Sequence, residues 1–216
     1  MTRTLPSLRL TALLAALVAA TTLGACAPLL LGGAIVGSSI VVTDRRTSGT
    51  QVDDQGIELK GIRKVNDAIG DRGSVSVTSY NRVVLLTGTV LAEADKAAVE
   101  RAAASIENVK SVVNEVAVGT AASFGNRSND TLLTSKVKAS FVDAKDVQVN
   151  AYKVVTERGI VYLLGRVTER EASRASDIAR GVSGVQKVVR VFEIVSEAEL
   201  ADTQPKPAST PASGKP

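Results

Sequence analysis

The side chains able to do covalent or acid–base chemistry are few and widely spaced. The 216 residues include one cysteine, Cys26, and no histidine, which removes the commonest general base and metal ligand. Cys26 ends the run Leu23-Gly24-Ala25-Cys26, behind an apolar stretch from Leu10 to Leu23. As the only cysteine it has no partner for a disulfide within the chain, and it is either incidental to an export signal or a thiol that is modified. Carboxylates cluster twice, at Asp53-Asp54 and at Glu169 and Glu171. The first pair is expected just before a helix and the second in a helix's first turn, so capping and the helix macrodipole account for both. No glycine-rich phosphate loop and no nucleophile elbow occurs. A net charge of +4 invites a nucleic-acid reading, but aromatic residues make up only 3% of the chain, too few for base stacking. These features argue against an enzyme, a metal centre, a cofactor or a nucleic-acid partner.

The elements that position these residues come from a duplication. Arg82 to Val90 reads RVVLLTGTV and Gly159 to Val167 reads GIVYLLGRV, each followed by an Ala-rich amphipathic segment and a Val-rich strand. Val75-Ser76-Val77 with Tyr80 recurs as Val147-Gln148-Val149 with Tyr152, and Asn108 to Val113 recurs as Gly184 to Val189. The offset runs from 72 (Val75 to Val147) through 77 (Arg82 to Gly159) to 76 (Asn108 to Gly184). This places five extra residues in the second copy's hairpin and one fewer after its last helix.

Within each copy the Val-x-Val alternation reads as a half-buried strand, and the denser apolar run after the turn as a more central one. Glu157-Arg158-Gly159 supplies a glycine to the second hairpin, while the first uses Asn81-Arg82 and is expected to be tighter. Thr168-Glu169-Arg170-Glu171 is a capping-box pattern, opening a helix whose Ala175, Ile178, Ala179 and Val182 share a face. The first copy offers Val99, Ala102, Ala103 and Ile106 without the box. A right-handed crossover makes the last strand parallel to the second one of its copy. The expected fold is α+β: two units, each helix-strand-strand-helix-strand, with both helices on one face of a small mixed three-stranded sheet. The strand order stays open. Gly88 and Gly165 fall near the ends of the central strands, where a bulge or a closely packed crossover helix explains a glycine better than a ligand does.

This pattern, with Leu85-Leu86-Thr87-Gly88 and Leu163-Leu164-Gly165-Arg166 at the strand ends, resembles the BON domain (bacterial OsmY and nodulation) in its tandem form. Three further stretches are similar to the dual-BON outer-membrane lipoproteins: Thr43 to Asp54, Asn129-Asp130-Thr131, and Val167 to Ala172. The resemblance covers roughly residues 20 to 195. The expected divisions are a lipoprotein signal peptide over 1–25, the lipidated cysteine with an apolar, Gly-bearing tether over 26–52, BON domains over 53–119 and 129–196, a linker over 120–128, and a disordered Pro/Ala/Ser/Lys tail over 197–216.

The amino terminus fits that picture. Arg3 and Arg9 flank the stretch Leu10 to Leu23, which is too short to span a bilayer comfortably. With Cys26 this resembles the bacterial lipobox, in which the signal is cut before the cysteine, the thiol diacylated and the new amino group acylated. Several acyl chains hold a protein on a membrane far better than one. Ala27 stands where the inner-membrane retention signal has an aspartate, so the resemblance implies lipid anchoring at the periplasmic face of the outer membrane. Pro28 to Val42 is apolar, but its three glycines and limited length fall short of a span. A tether lying on the membrane surface or packing on the first domain is expected.

Charge divides unequally between the copies. Residues 53–118 hold 8 Lys or Arg against 10 Asp or Glu, a net of −2, whereas residues 127–195 hold 12 against 8, a net of +4. The second copy is therefore the one to meet an anionic surface. With Thr131 to Val142 helical, Leu133, Val137, Ser140 and Phe141 face the sheet, and Leu132 lies about 100° from Leu133, near Lys136. Two outcomes are open from the residues alone. Leu132 enters the acyl boundary while lysines stay at lipid phosphates, or Leu132 packs on the other domain and the lysines form a solvated face.

The resemblance favours the first. In dual-BON lipoproteins the first helix of the second unit binds anionic phospholipid such as phosphatidylglycerol, which implies a phospholipid-binding set of Leu132, Leu133, Ser135, Lys136 and Lys138. Leu132 falls where relatives carry a tryptophan, and leucine inserts without anchoring at the headgroup level. The function so implied is non-enzymatic support of outer-membrane integrity, with concentration at division sites. The alternatives are an interaction module gripping an envelope protein partner, such as an outer-membrane assembly factor or a cell-wall hydrolase regulator, and a soluble osmotic-stress protein.

Overall fold

Helix α1, Ser48–Ile69, opens on Thr47, whose hydroxyl oxygen accepts a hydrogen bond from the Thr50 backbone N–H. It turns Ile57, Gly61, Val65 and Ile69 inward, each four residues from the last. Strands β1, Gly73–Tyr80, and β2, Val83–Val90, form an antiparallel hairpin beneath it. Helix α2, Glu93–Ala104, crosses over, and β3, Ser111–Asn114, and β4, Ala117–Val118, both run parallel to β2. The third strand position is thus filled in two pieces. At the break the Asn114 side-chain oxygen accepts from Val116 N–H and Val116 drops into the core. The computed structural model describes residues 44–119 and 124–203; Cys26, the expected signal and most of the tether, and residues 204–216 of the expected tail lie outside the described residues.

The second unit repeats this plan with α3, Phe124–Asp143, β5, Tyr152–Glu157, β6, Ile160–Val167, α4, Glu169–Gly181, and β7, Lys187–Ile194. Sheet order is β1-β2-β3 in the first unit and β5-β6-β7 in the second, with an antiparallel hairpin and a parallel crossover strand in each. The α+β expectation holds, and the central strand of each sheet is the denser apolar run. The capping box forms on α4 through Thr168 and Glu171, whereas Ala92 ahead of α2 makes no side-chain cap.

Several expectations need correction. The second hairpin is no longer than the first. Both are two-residue turns with all four central residues at positive φ: 50° and 67° at Asn81 and Arg82, 53° and 76° at Arg158 and Gly159. This is the primed-turn geometry that matches strand twist. The extra length falls instead between α3 and β5, where Val149–Ala151 form a 3-10 turn. Val147 and Val149, expected on a strand, pack there against the second core. Alternating valines report only that one side is buried, which this turn satisfies as well as a strand does. Helices α1 and α3 begin at Ser48 and Phe124, a few residues ahead of the expected domain starts at 53 and 129, where the first turns carry no apolar period. After β7, residues Glu197–Thr203 form a short helix, α5, rather than the start of a disordered tail, and Leu200 is its buried anchor.

Each unit has its own core between helices and sheet. A third cluster joins them. Tyr80 and Leu85 of the first sheet are buried with Tyr162 and Leu164 of the second, and Val113, Val155, Ile160, Val189 and Val191 pack around them. These side chains alternate with those facing the helices, so the helix-free faces of the two sheets meet. The layers run helix, sheet, sheet, helix, and the described residues 44–119 and 124–203 belong to one compact unit.

Candidate functional site

Asp53 and Asp54 do not precede α1; they lie within its second turn, and Thr47 is the cap. Asp54 is 2% exposed. It accepts from Asn81 N–H at 2.8 Å, Arg82 N–H at 2.7 Å, the Ser79 hydroxyl at 2.6 Å and Arg46 Nη1 at 2.8 Å. Its counterpart in the second unit is Asp130, which accepts from Arg158 and Gly159 N–H, both at 2.8 Å. In each unit, therefore, a buried carboxylate on the first helix holds the two backbone amides of the hairpin turn. Burial works to raise the Asp54 carboxyl, but the bonds from Ser79, Arg82, Arg46 and Asn81 outweigh it and keep it below the usual carboxylate range. These are structural anchors, and the acids that looked most chemical in the sequence are spent on the fold. Beside Asp130, Glu157 is pushed up by burial and by the Asp130 charge.

Gly88 sits opposite Val75 with φ of 117°, and a Cβ there would lie 2.1 Å from the Ser74 carbonyl oxygen. At Gly165, opposite Tyr152, it would lie 2.7 Å from the Ala151 carbonyl oxygen. The near neighbour in both places is the backbone of the adjacent strand side, not the crossover helix.

Helix α3 sorts the expected phospholipid-binding residues by face. Leu133 is 1% exposed and joins Val137 and Phe141 inside, so it is not part of an outward surface. Leu132 is 52% exposed and does not bury itself against the first domain. Ser135 is exposed on the same side and Lys136 is exposed beside it, with the Ser135 hydroxyl donating to the Thr131 carbonyl. Val142, 66% exposed, continues this ridge two to three turns on and went unnoticed in the sequence, where it reads as the last apolar residue of the helix. The two lysines flank this ridge: Lys136 borders the groove against α4 with Asp177 and Ile178, and Lys138, also exposed, lines the cleft between the two units with Asp44, Arg46, Tyr80 and Lys153. The outward face is thus Leu132, Ser135 and Val142, with Lys136 and Lys138 on its two sides. No helix among the described residues is long and apolar enough to cross a membrane.

The sequence reading also passed over Arg45 and Arg46. The Arg45 side chain is 3% exposed and forks onto Glu171 of α4, with two bonds of 2.7 Å, while also donating to the Arg166 carbonyl and the Gln148 side chain. That fork, opposed by burial, holds Glu171 below the usual carboxylate range without displacing it from the α4 capping box. Arg46 instead turns to the first unit, pairing with Asp44 and Asp54 and lying 4.4 Å over the Tyr80 ring. Burial, then the Asp44 charge, pushes the Tyr80 phenol up to about 12. The only signal of this arrangement in the sequence was Thr43 to Asp54 as a block.

Residues 53–120 and 129–196 each match the model of the BON domain. Outer membrane lipoprotein DolP of Haemophilus influenzae is 42% identical over 171 residues, covering 78% of this chain and 88% of that protein. The 21 kDa hemolysin of Actinobacillus pleuropneumoniae is 32% identical over 154 residues, 70% of this chain and 79% of that protein. Osmotically-inducible protein Y of Escherichia coli is 32% identical over 148 residues, 65% of this chain and 72% of that protein. Two matched segments, each folded as helix-strand-strand-helix-strand, make this chain a member of the BON-domain family with the domain present twice in tandem.

Proposed function

We propose that the chain is a non-enzymatic envelope lipoprotein, held at the periplasmic face of the outer membrane by acylated Cys26, whose second BON domain binds anionic phospholipid through α3 and supports outer-membrane integrity, including at division sites. The outer-membrane lipoprotein similar over most of its length supports the location. The observation that carries the lipid reading is the ridge on α3, where half-exposed Leu132 and exposed Val142 flank Ser135, with Lys136 and Lys138 on its two sides. Apolar tips of this kind enter the acyl boundary while an ammonium group stays at lipid phosphates.

The test is co-sedimentation of the acyl-free chain, residues 43 to 203, with vesicles containing or lacking phosphatidylglycerol. Salt-sensitive binding to the anionic vesicles alone, weakened by Leu132→Glu and by Lys136→Glu with unfolding unchanged, is expected. Equal binding by both variants and the parent overturns the role of α3.

Anchoring is tested separately, by fractionating cells that carry Cys26→Ala. Loss of the chain from the outer-membrane fraction is expected; retention there rejects the acyl anchor. A second reading, docking of an envelope protein partner, is favoured by exposed Val52, Leu59 and Ile62 on α1.

A further inference from the structure

The segment between the expected tether and the first helix is built as a fastener. Arg45 and Arg46 are adjacent in the chain yet grip different domains. Arg45 reaches Glu171 at the start of α4 in the second, and Arg46 reaches Asp54 and the Tyr80 ring in the first. A guanidinium forked onto a carboxylate fixes direction as well as distance, which a point charge does not. The same segment borders the cleft that Lys138 of α3 lines, through Asp44 and Arg46. The described chain therefore begins, at Asp44, at the junction of the two domains, beside α3.

We infer that Arg45 and Arg46 are positioning residues, which tie the point where the membrane tether leaves the fold to both domains and so set the orientation in which α3 meets the lipid surface. The inference rests on the proposed lipid reading of α3. With the fork closed, the exit point cannot move relative to α3. With Arg45 released, the segment stays attached to the first domain through α1 and Arg46, while the two domains stay docked through the sheet-to-sheet cluster, the Lys153–Glu58 pair and the Asn81–Glu193 bond. What is lost is the tie between the exit point and α4, so the tether loosens relative to the lipid-facing helix while both domains stay folded. Tethering raises effective concentration only where geometry allows both attachments at once. The fork is what gives this chain that geometry.

The chain has no tryptophan, so Leu132→Trp provides a single fluorescent reporter on the outward face of α3. The experiment uses the lipidated full chain with this substitution, purified from membranes and reconstituted into vesicles of brominated anionic phospholipid, and reads bromine quenching. The parent is expected to be quenched, and adding Arg45→Ala or Glu171→Gln is expected to reduce quenching by about half or more as the tethered geometry is lost. Glutamine keeps an acceptor for the Thr168 backbone and so preserves the α4 cap, which keeps the test sound if Arg45→Ala misfolds. Arg45→Lys, retaining charge without the fork, should fall between. Equal quenching in the parent, Arg45→Ala and Glu171→Gln overturns the positioning role alone. A reporter unquenched in the parent overturns the lipid reading of α3 and the positioning role with it.

Discussion

Asp54 and Asp130 occupy equivalent positions in the two copies, and each closes its unit by holding the two amides of a hairpin turn from a distance of 27 to 29 residues along the chain. Buried donors left without an acceptor cost about 1–3 kcal/mol each. Asp130→Ala, which orphans Arg158 and Gly159 N–H, is thus expected to destabilise the second domain by about 2 kcal/mol or more, with Asp130→Asn recovering part of it through its one remaining oxygen. Urea unfolding measures this; an unchanged midpoint for Asp130→Ala would reject the anchor. The offset from Asp54 to Asp130 equals that from Asn108 to Gly184, so the equivalence was present in the repeat. Its role was not, because an acidic pair near a helix start reads as a cap until the start is fixed, and that start lay five residues further back, at Ser48.

Elements differ in how openly the sequence announces them. Helix α4 was legible from its capping box, which forms, and from Ala175, Ile178, Ala179 and Val182, of which the alanines are buried and the other two pack partly buried on the same core, Val182 as the residue after the helix. Helix α3 was legible in its apolar face, Leu133, Val137 and Phe141, but not in its length, since its first turn lacks that period. Its two lysines, two residues apart, looked like one cationic patch; two residues on a helix turn the side chain by about 200°, and the structure sets Lys136 beside α4 and Lys138 beside the interdomain cleft, one on each side of the Leu132–Val142 ridge. A lysine near an anionic surface contributes about 1 kcal/mol, so on the lipid reading reversing either to Glu should weaken vesicle binding of the acyl-free chain by about tenfold or more. A loss at one lysine alone would place the contact on that flank, and a loss at neither would reject it.

At the scale of the whole molecule, the two domains share a sheet-to-sheet core and an arginine fastener, and the fastener is sensitive to pH. Glu171 is held low chiefly by the Arg45 bond, against burial; at Asp54 burial acts the other way and is outweighed by its donors. Carboxylates lowered in the folded state add stability above their unfolded values, which lie near about 4, and lose it as pH falls through the folded values. Stability is accordingly expected to keep the full contribution of these groups, with no pH dependence from them, between pH 7 and 5 and to drop below about pH 4, with a shallower drop in Arg45→Ala. Thermal unfolding across that range checks it; identical slopes in parent and variant would detach Arg45 from Glu171. The sequence by itself determined the duplication, the fold of each copy and the central strands, because apolar period, turn and cap are local or repeated signals. Only the tertiary structure decided that the helix-free sheet faces meet, that Asp54 and Asp130 hold turns, that Lys136 and Lys138 border different clefts on the two sides of α3, and that Arg45 crosses between domains. Each of these depends on which distant side chain lies within a few ångströms, and no periodicity along one chain encodes that.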